Sequence, residues 1–62
     1  MKYQFLQSVI RGKGVSNDEI ANYLGINENV LNLFLSGVLR FSEPHRQRLS
    51  QFFGYSEAVL FS

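Results

Sequence analysis

The placement of glycine constrains this chain more than any other feature. Glycines stand at 12, 14, 25, 37 and 54, and several are followed by a Ser or Asn able to open a helix. Glycine closes a helix because it enters the left-handed conformation without a Cβ penalty. A Ser or Asn opens the next because its side-chain oxygen accepts from an unpaired amide of the first turn. This punctuation divides the chain into five short segments with apolar residues at helical spacing. No alternating strand with a hairpin turn, no internal repeat and no linker is visible. The expected fold class is therefore all-α, with residues 1–62 forming one domain.

A 62-residue chain buries only about 60% of its unfolded surface, and domains of that size often rely on disulfides or a metal. Here Cys is absent and His45 is the single histidine. A four-thiolate zinc site, a disulfide framework and a Cys nucleophile are excluded, and no metal or cofactor is expected. No apolar run approaches the roughly 20 residues of a membrane span. The opening Met1-Lys2-Tyr3-Gln4 lacks the apolar core of an export signal, so the expected location is the cytoplasm, without membrane association.

Helix 1 is expected over about Lys2 to Arg11, with Tyr3, Leu6, Val9 and Ile10 on one face and Gly12-Lys13-Gly14 at its end. Ser16-Asn17-Asp18-Glu19 reads as a capping box in which Ser16 and Glu19 exchange bonds, so helix 2 starts at Asn17 and closes at Gly25. Asn27 caps helix 3, Glu28 to Ser36, whose Leu31, Phe34 and Leu35 share a face and which Gly37 ends. Ser42 caps helix 4, with Pro44 tolerated in the first turn and His45, Leu49, Phe52 and Phe53 inward; Gly54 stops it. A last helix, Glu57 to Phe61, would return Leu60 and Phe61 to the core. His45 is expected as a partly buried, hydrogen-bonded residue, since no second His or Cys exists to share a metal.

An eight-residue helix, a tight Gly turn and a nine-residue helix match a helix-turn-helix over about 16–37. Small Ala21 sits where the helices must cross, and Ile20, Leu24, Ile26, Leu31 and Phe34 fill the shared interior. The stretch Val15-Ser16-Asn17-Asp18-Glu19-Ile20-Ala21-Asn22-Tyr23-Leu24-Gly25-Ile26-Asn27 resembles the first half of the motif in the Cro/C1-type (XRE) family of phage and bacterial regulators. Ser36-Gly37 resembles its end-of-helix signature. Leu49-Ser50-Gln51-Phe52-Phe53-Gly54-Tyr55-Ser56 and Leu60-Phe61 resemble the closing helices. The resemblance covers nearly the whole chain and implies a compact five-helix, lambda-repressor-like DNA-binding domain.

One departure from the family is informative. Members commonly hold a buried Arg near the end of helix 1 against a Glu near the end of helix 3, and the matching positions here are Ile10 and Leu35. Replacing both charges by packed apolar groups is often neutral or stabilising by about 1–4 kcal/mol, whereas losing one partner costs about 3–5 kcal/mol. Leu35 is accordingly expected in the core.

With Leu31 inward, Asn29, Asn32, Leu33 and Ser36 form the outward stripe of helix 3, with Glu28 at its entrance. These are the candidate base readers. Asn suits the adenine N6/N7 edge, Ser suits several edges, Leu33 suits the thymine methyl, and Glu28 can accept from cytosine. Glu28 also has a structural reading, as an acid at a helix N-terminus. The family resemblance implies phosphate contacts from Asn17 and Arg40, with Arg46 a further candidate.

The expected function is a sequence-specific transcriptional regulator in a bacterium or phage-infected cell, binding double-stranded DNA as a homodimer. The alternative is a module that binds a repressor-type protein partner, as an antirepressor would. Leu33, the Val38-Leu39 pair and the absence of any Lys or Arg from helix 3 favour it, although Val38 and Leu39 could equally dock under helix 4. An enzyme is not expected: there is no Ser-His-Asp pattern, paired-acid motif or Gly-rich phosphate loop. The net charge of +1 conceals separated roles, since all five acids fall in expected first turns while the six basic residues lie outside helix 3.

Overall fold

The computed structural model describes residues 3–61. Within them run α1 (Gln4–Lys13), α2 (Asn17–Leu24), α3 (Glu28–Ser36), α4 (Glu43–Phe53) and α5 (Glu57–Leu60), folded into a body of 24 × 22 × 22 Å. The closest pairings set α2 on α3, α4 on α5, and α1 on α5. The termini of α2 and α3 fall where the caps and glycines place them. Ser16 Oγ accepts from the Glu19 amide at 3.1 Å, and Asn27 Oδ1 accepts from the Val30 amide at 2.8 Å. At the end of α2, Gly25 adopts φ 75°; its amide donates to the Asn22 carbonyl, and the Ile26 amide to that of Ala21. The capping box is half formed, because the Glu19 carboxylate makes no return bond to the Ser16 amide.

The first helix departs from expectation at both ends. It begins at Gln4, and Lys2 lies outside the described residues. At its far end it continues through Gly12 and Lys13, because Gly14 rather than Gly12 takes the left-handed turn, at φ 68°. Tyr3 stands before the helix with φ 60°, its carbonyl accepting from the Gln7 amide at 3.0 Å. A left-handed non-glycine residue costs about 1–2 kcal/mol. The compensation is aromatic: the Tyr3 ring stands edge-on to Phe41 at 5.3 Å and to Phe61 at 5.7 Å.

The core is a single cluster in which Leu6, Ile20, Leu31, Leu49, Leu60 and Phe41 are all but completely buried. Phe41, which sequence periodicity does not single out, comes from the connection between α3 and α4. It stacks on Phe34 at 4.8 Å and meets Phe61 edge-on at 5.2 Å. On α4, Leu49 and Phe53 are buried as expected, but Phe52 is exposed and leans on the Tyr23 ring at 4.8 Å. Once Phe53 is taken into the core, a neighbour 100° away falls at the margin. Ser42 holds the N-cap backbone position of α4 without a side-chain bond. At the other end of the chain α5 stops at Leu60, and the half-buried Phe61 follows as its C-cap. All five acids do lie in first turns: Asp18 and Glu19, then Glu28, Glu43 and Glu57.

Candidate nucleic-acid interface

Burying Leu31 and Phe34 turns the opposite side of α3 outward, and Glu28, Asn29, Asn32, Leu33 and Ser36 are all exposed there. The half-buried Asn17, in the first turn of α2, reaches the same surface: its Nδ2 donates to Asn32 Oδ1 at 3.5 Å. The start of α2 and the outer face of α3 therefore form one continuous polar patch. Within it the bonds bias what each group can offer. Asn32 keeps both Nδ2 hydrogens and one Oδ1 lone pair, and Asn29 keeps its full set. Ser36 Oγ donates to the Leu33 carbonyl at 3.1 Å, so its remaining capacity is to accept. Such a patch can pair with amino and ring-nitrogen edges of bases, beside the exposed Leu33 methyls.

No described cation lies within α3, and Arg40 comes soonest after it in the chain. Arg40 is exposed in the connection after α3 and makes no hydrogen bond or ion pair among the described residues. Arg46 is bonded inward: Nη1 donates to the Phe41 carbonyl at 2.8 Å, and Nε lies 3.7 Å from Glu57 Oε1. Its guanidinium thus ties the start of α4 to α5. Arg48 donates to the Tyr23 carbonyl at 3.3 Å while the Tyr23 hydroxyl donates to the Arg48 carbonyl at 3.1 Å, a reciprocal link between α2 and α4. Arg11, which the sequence reading did not select as a site residue, lines a notch with Gln7, Ile10, Asn17 and Leu35. The signal that could have found it is its place one turn before Gly14, where the chain doubles back to α2. The same notch brings together Ile10, which is buried, and Leu35, which is half-buried and packed on the core.

Val38 and Leu39 do not dock beneath α4. Val38 is 70% exposed and Leu39 39%, beside Leu33 at 41%. The Leu39 amide donates to the Leu33 carbonyl at 3.1 Å, six residues back, and Phe41 fills the core in their place. The expected hydrogen bond of His45 is also absent: its Nδ1 is buried without a partner, and the ring packs edge-on to Phe34 at 5.5 Å. Among the described residues no group of three His, Cys, Asp or Glu side chains could hold a metal, and no helix is long and apolar enough to cross a membrane. Compared with models of protein families, with curated proteins and with solved structures, the chain matches none.

Proposed function

We propose that this chain is a DNA-binding regulator of the Cro/C1 type, a binder and not an enzyme, in which α2 and α3 act as a helix-turn-helix and α3 enters the major groove. The observation that carries the reading is the Asn17–Asn32 contact, which places the start of one short helix and the polar face of the next on a single exposed surface. Asn29, Asn32, Leu33 and Ser36 read bases; Asn17, Arg40 and Arg11 hold the flanking phosphates. Glu28 serves the α3 N-terminus and contributes least to affinity. With so few free cations among the described residues a single copy binds weakly, and two copies on a two-part site supply the missing affinity, in the cytoplasm of a bacterium or phage-infected cell.

Selection of bound sequences from a random DNA pool, followed by titration at two salt concentrations, tests this. A two-part consensus is expected. Arg11, Lys13 and Arg40 are the described cations without intramolecular ionic or hydrogen bonds. At about −0.9 per neutralised phosphate, the two of these placed on phosphates, Arg11 and Arg40, contribute roughly −2 to the slope of log K against log salt per copy. No enrichment and no binding at low salt would reject the reading.

The second reading, a module that binds a repressor-type protein, has its own support in the exposed Leu33, Val38 and Leu39 and in the absence of Lys or Arg from α3. Loss of partner binding in Leu33→Asn and Leu39→Ser, with no DNA binding by the parent, would select it.

A further inference from the structure

We propose that the groove between α1 and the turn joining α4 to α5 is a docking site for a short segment of a partner protein that presents an apolar side chain beside a carboxylate. Phe5, Ser8, Val9, Gly12, Lys13 and Tyr55 line it, around a volume of about 380 Å³. The Phe5 and Tyr55 rings, both in the lining, touch edge to face at 5.3 Å and 89°. Both rings are more than a third exposed, while Val9, also in the lining, is buried. The paired rings and the buried valine give the groove an apolar lining in which both rings stay partly exposed among the described residues.

Two further observations define the occupant. Lys13 lines the groove, is exposed and makes no ion pair among the described residues, so the complementary ligand carries negative charge next to its apolar group. Gly12 lies inside α1, where glycine is a poor helix former, yet it has no left-handed φ and a Cβ built there meets nothing within 4 Å. Neither backbone geometry nor crowding within the chain calls for glycine. A bare backbone in a groove wall does suit close approach by a ligand. The site shares no lining residue with the outer face of α3 and stands whether or not α3 reads DNA.

The test is an amide-resolved NMR titration of the full chain with acetyl-Glu-Phe-Glu-amide, compared with acetyl-Lys-Phe-Lys-amide and acetyl-Glu-Gly-Glu-amide. Expected are saturable shifts centred on Phe5, Ser8, Val9, Gly12, Lys13 and Tyr55, with a Kd on the order of 1 mM. The Lys peptide should bind about fivefold or more weakly, and Lys13→Gln should weaken the Glu peptide by about two- to fivefold. Gly12→Leu fills the groove from an open position, and should abolish the shifts while leaving the melting temperature unchanged or raised. Equal binding by the Lys or Gly peptide, undiminished binding by a folded Gly12→Leu variant, or no saturable shift up to about 10 mM peptide would each overturn the proposal. Shifts centred instead on Leu33, Val38 and Leu39 would overturn it too, by placing the docking surface at the end of α3.

Discussion

The α2–α3 pair and the aromatic end of the molecule are built by different means. In the first, each boundary is set by a residue at the boundary: Ser16 and Asn27 bond their own first turns, and Gly25 closes the turn between them. Aliphatic Ile20, Leu24 and Leu31 are then buried together with small Ala21 in the one core cluster. In the second, Tyr3, Phe34, Phe41 and Phe61 come from four parts of the chain and meet as rings around Phe41, with the His45 ring edge-on to Phe34. There the backbone follows the side chains: Tyr3 accepts a left-handed φ, and the loop into α4 is held by a buried phenylalanine in place of a capping bond. Local signals can specify the first region alone, whereas the second depends on long-range packing.

The sharpest way to break the comparison is Phe41→Ala. Removing a buried phenylalanine costs about 3–5 kcal/mol. A 62-residue domain has of order 3–9 kcal/mol in total. Expected is a chain largely unfolded at 37 °C by circular dichroism. A melting temperature within about five degrees of the parent would show that the rings decorate the fold without holding it.

Next in size is Leu35→Glu, on the seam between α1 and α3. It places a carboxylate against the core beside Ile10, and a loss of about 2–4 kcal/mol is expected. Arg11 lines the same notch and can soften the loss, so the decisive measurement is the double variant Ile10→Arg with Leu35→Glu. Recovery of more than about 1 kcal/mol over the sum of the single changes, by urea titration, would establish that the two positions interact. Additive losses would refute it.

These cases also mark where sequence reasoning succeeds. The bounds of α2 and α3 and the five acids in first turns were legible because each is encoded within about four residues, and the outward stripe of α3 because it repeats at helical spacing over 29–36. Phe41 was not legible, since a residue in a connection belongs to no period and its burial is decided by partners far along the chain. Tyr3 escaped for a related reason: a helix entered without a capping residue gives no local mark of its start. Phe52 and Phe53 are adjacent aromatics on one helix, and only packing settles which turns inward. At the candidate interface the outward residues were readable from helical spacing, while the bonds of Arg46 to Phe41 and Glu57 depend on a fold already in place.

A smaller effect on stability, and a larger one on binding, is expected from Asn29→Ala with Asn32→Ala. Both side chains are exposed, so the melting temperature should move by no more than about 2 °C. If α3 reads bases, each lost contact costs about 1–3 kcal/mol of discrimination, and the selected consensus should flatten at the matching positions. An unchanged consensus would remove both asparagines from the set of readers.

The smallest expected effects compare the two regions at their caps. Ser16 and Ser42 hold the same extended N-cap backbone geometry, before helices of 8 and 11 residues, yet Ser16 Oγ accepts from the Glu19 amide and Ser42 makes no side-chain bond. Replacing a bonded cap by Ala costs about 1 kcal/mol. Ser16→Ala should therefore lower the stability by that amount, and Ser42→Ala by less than about 0.5 kcal/mol. The start of α4 has other anchors: the Arg46 guanidinium donates to the Phe41 carbonyl, and the Phe41 ring is buried. Equal losses in the two variants, measured by urea titration, would mean that α4 too is started by its cap, and the distinction between a locally specified helix pair and a packing-specified aromatic end would fail at the point where it can be measured most finely.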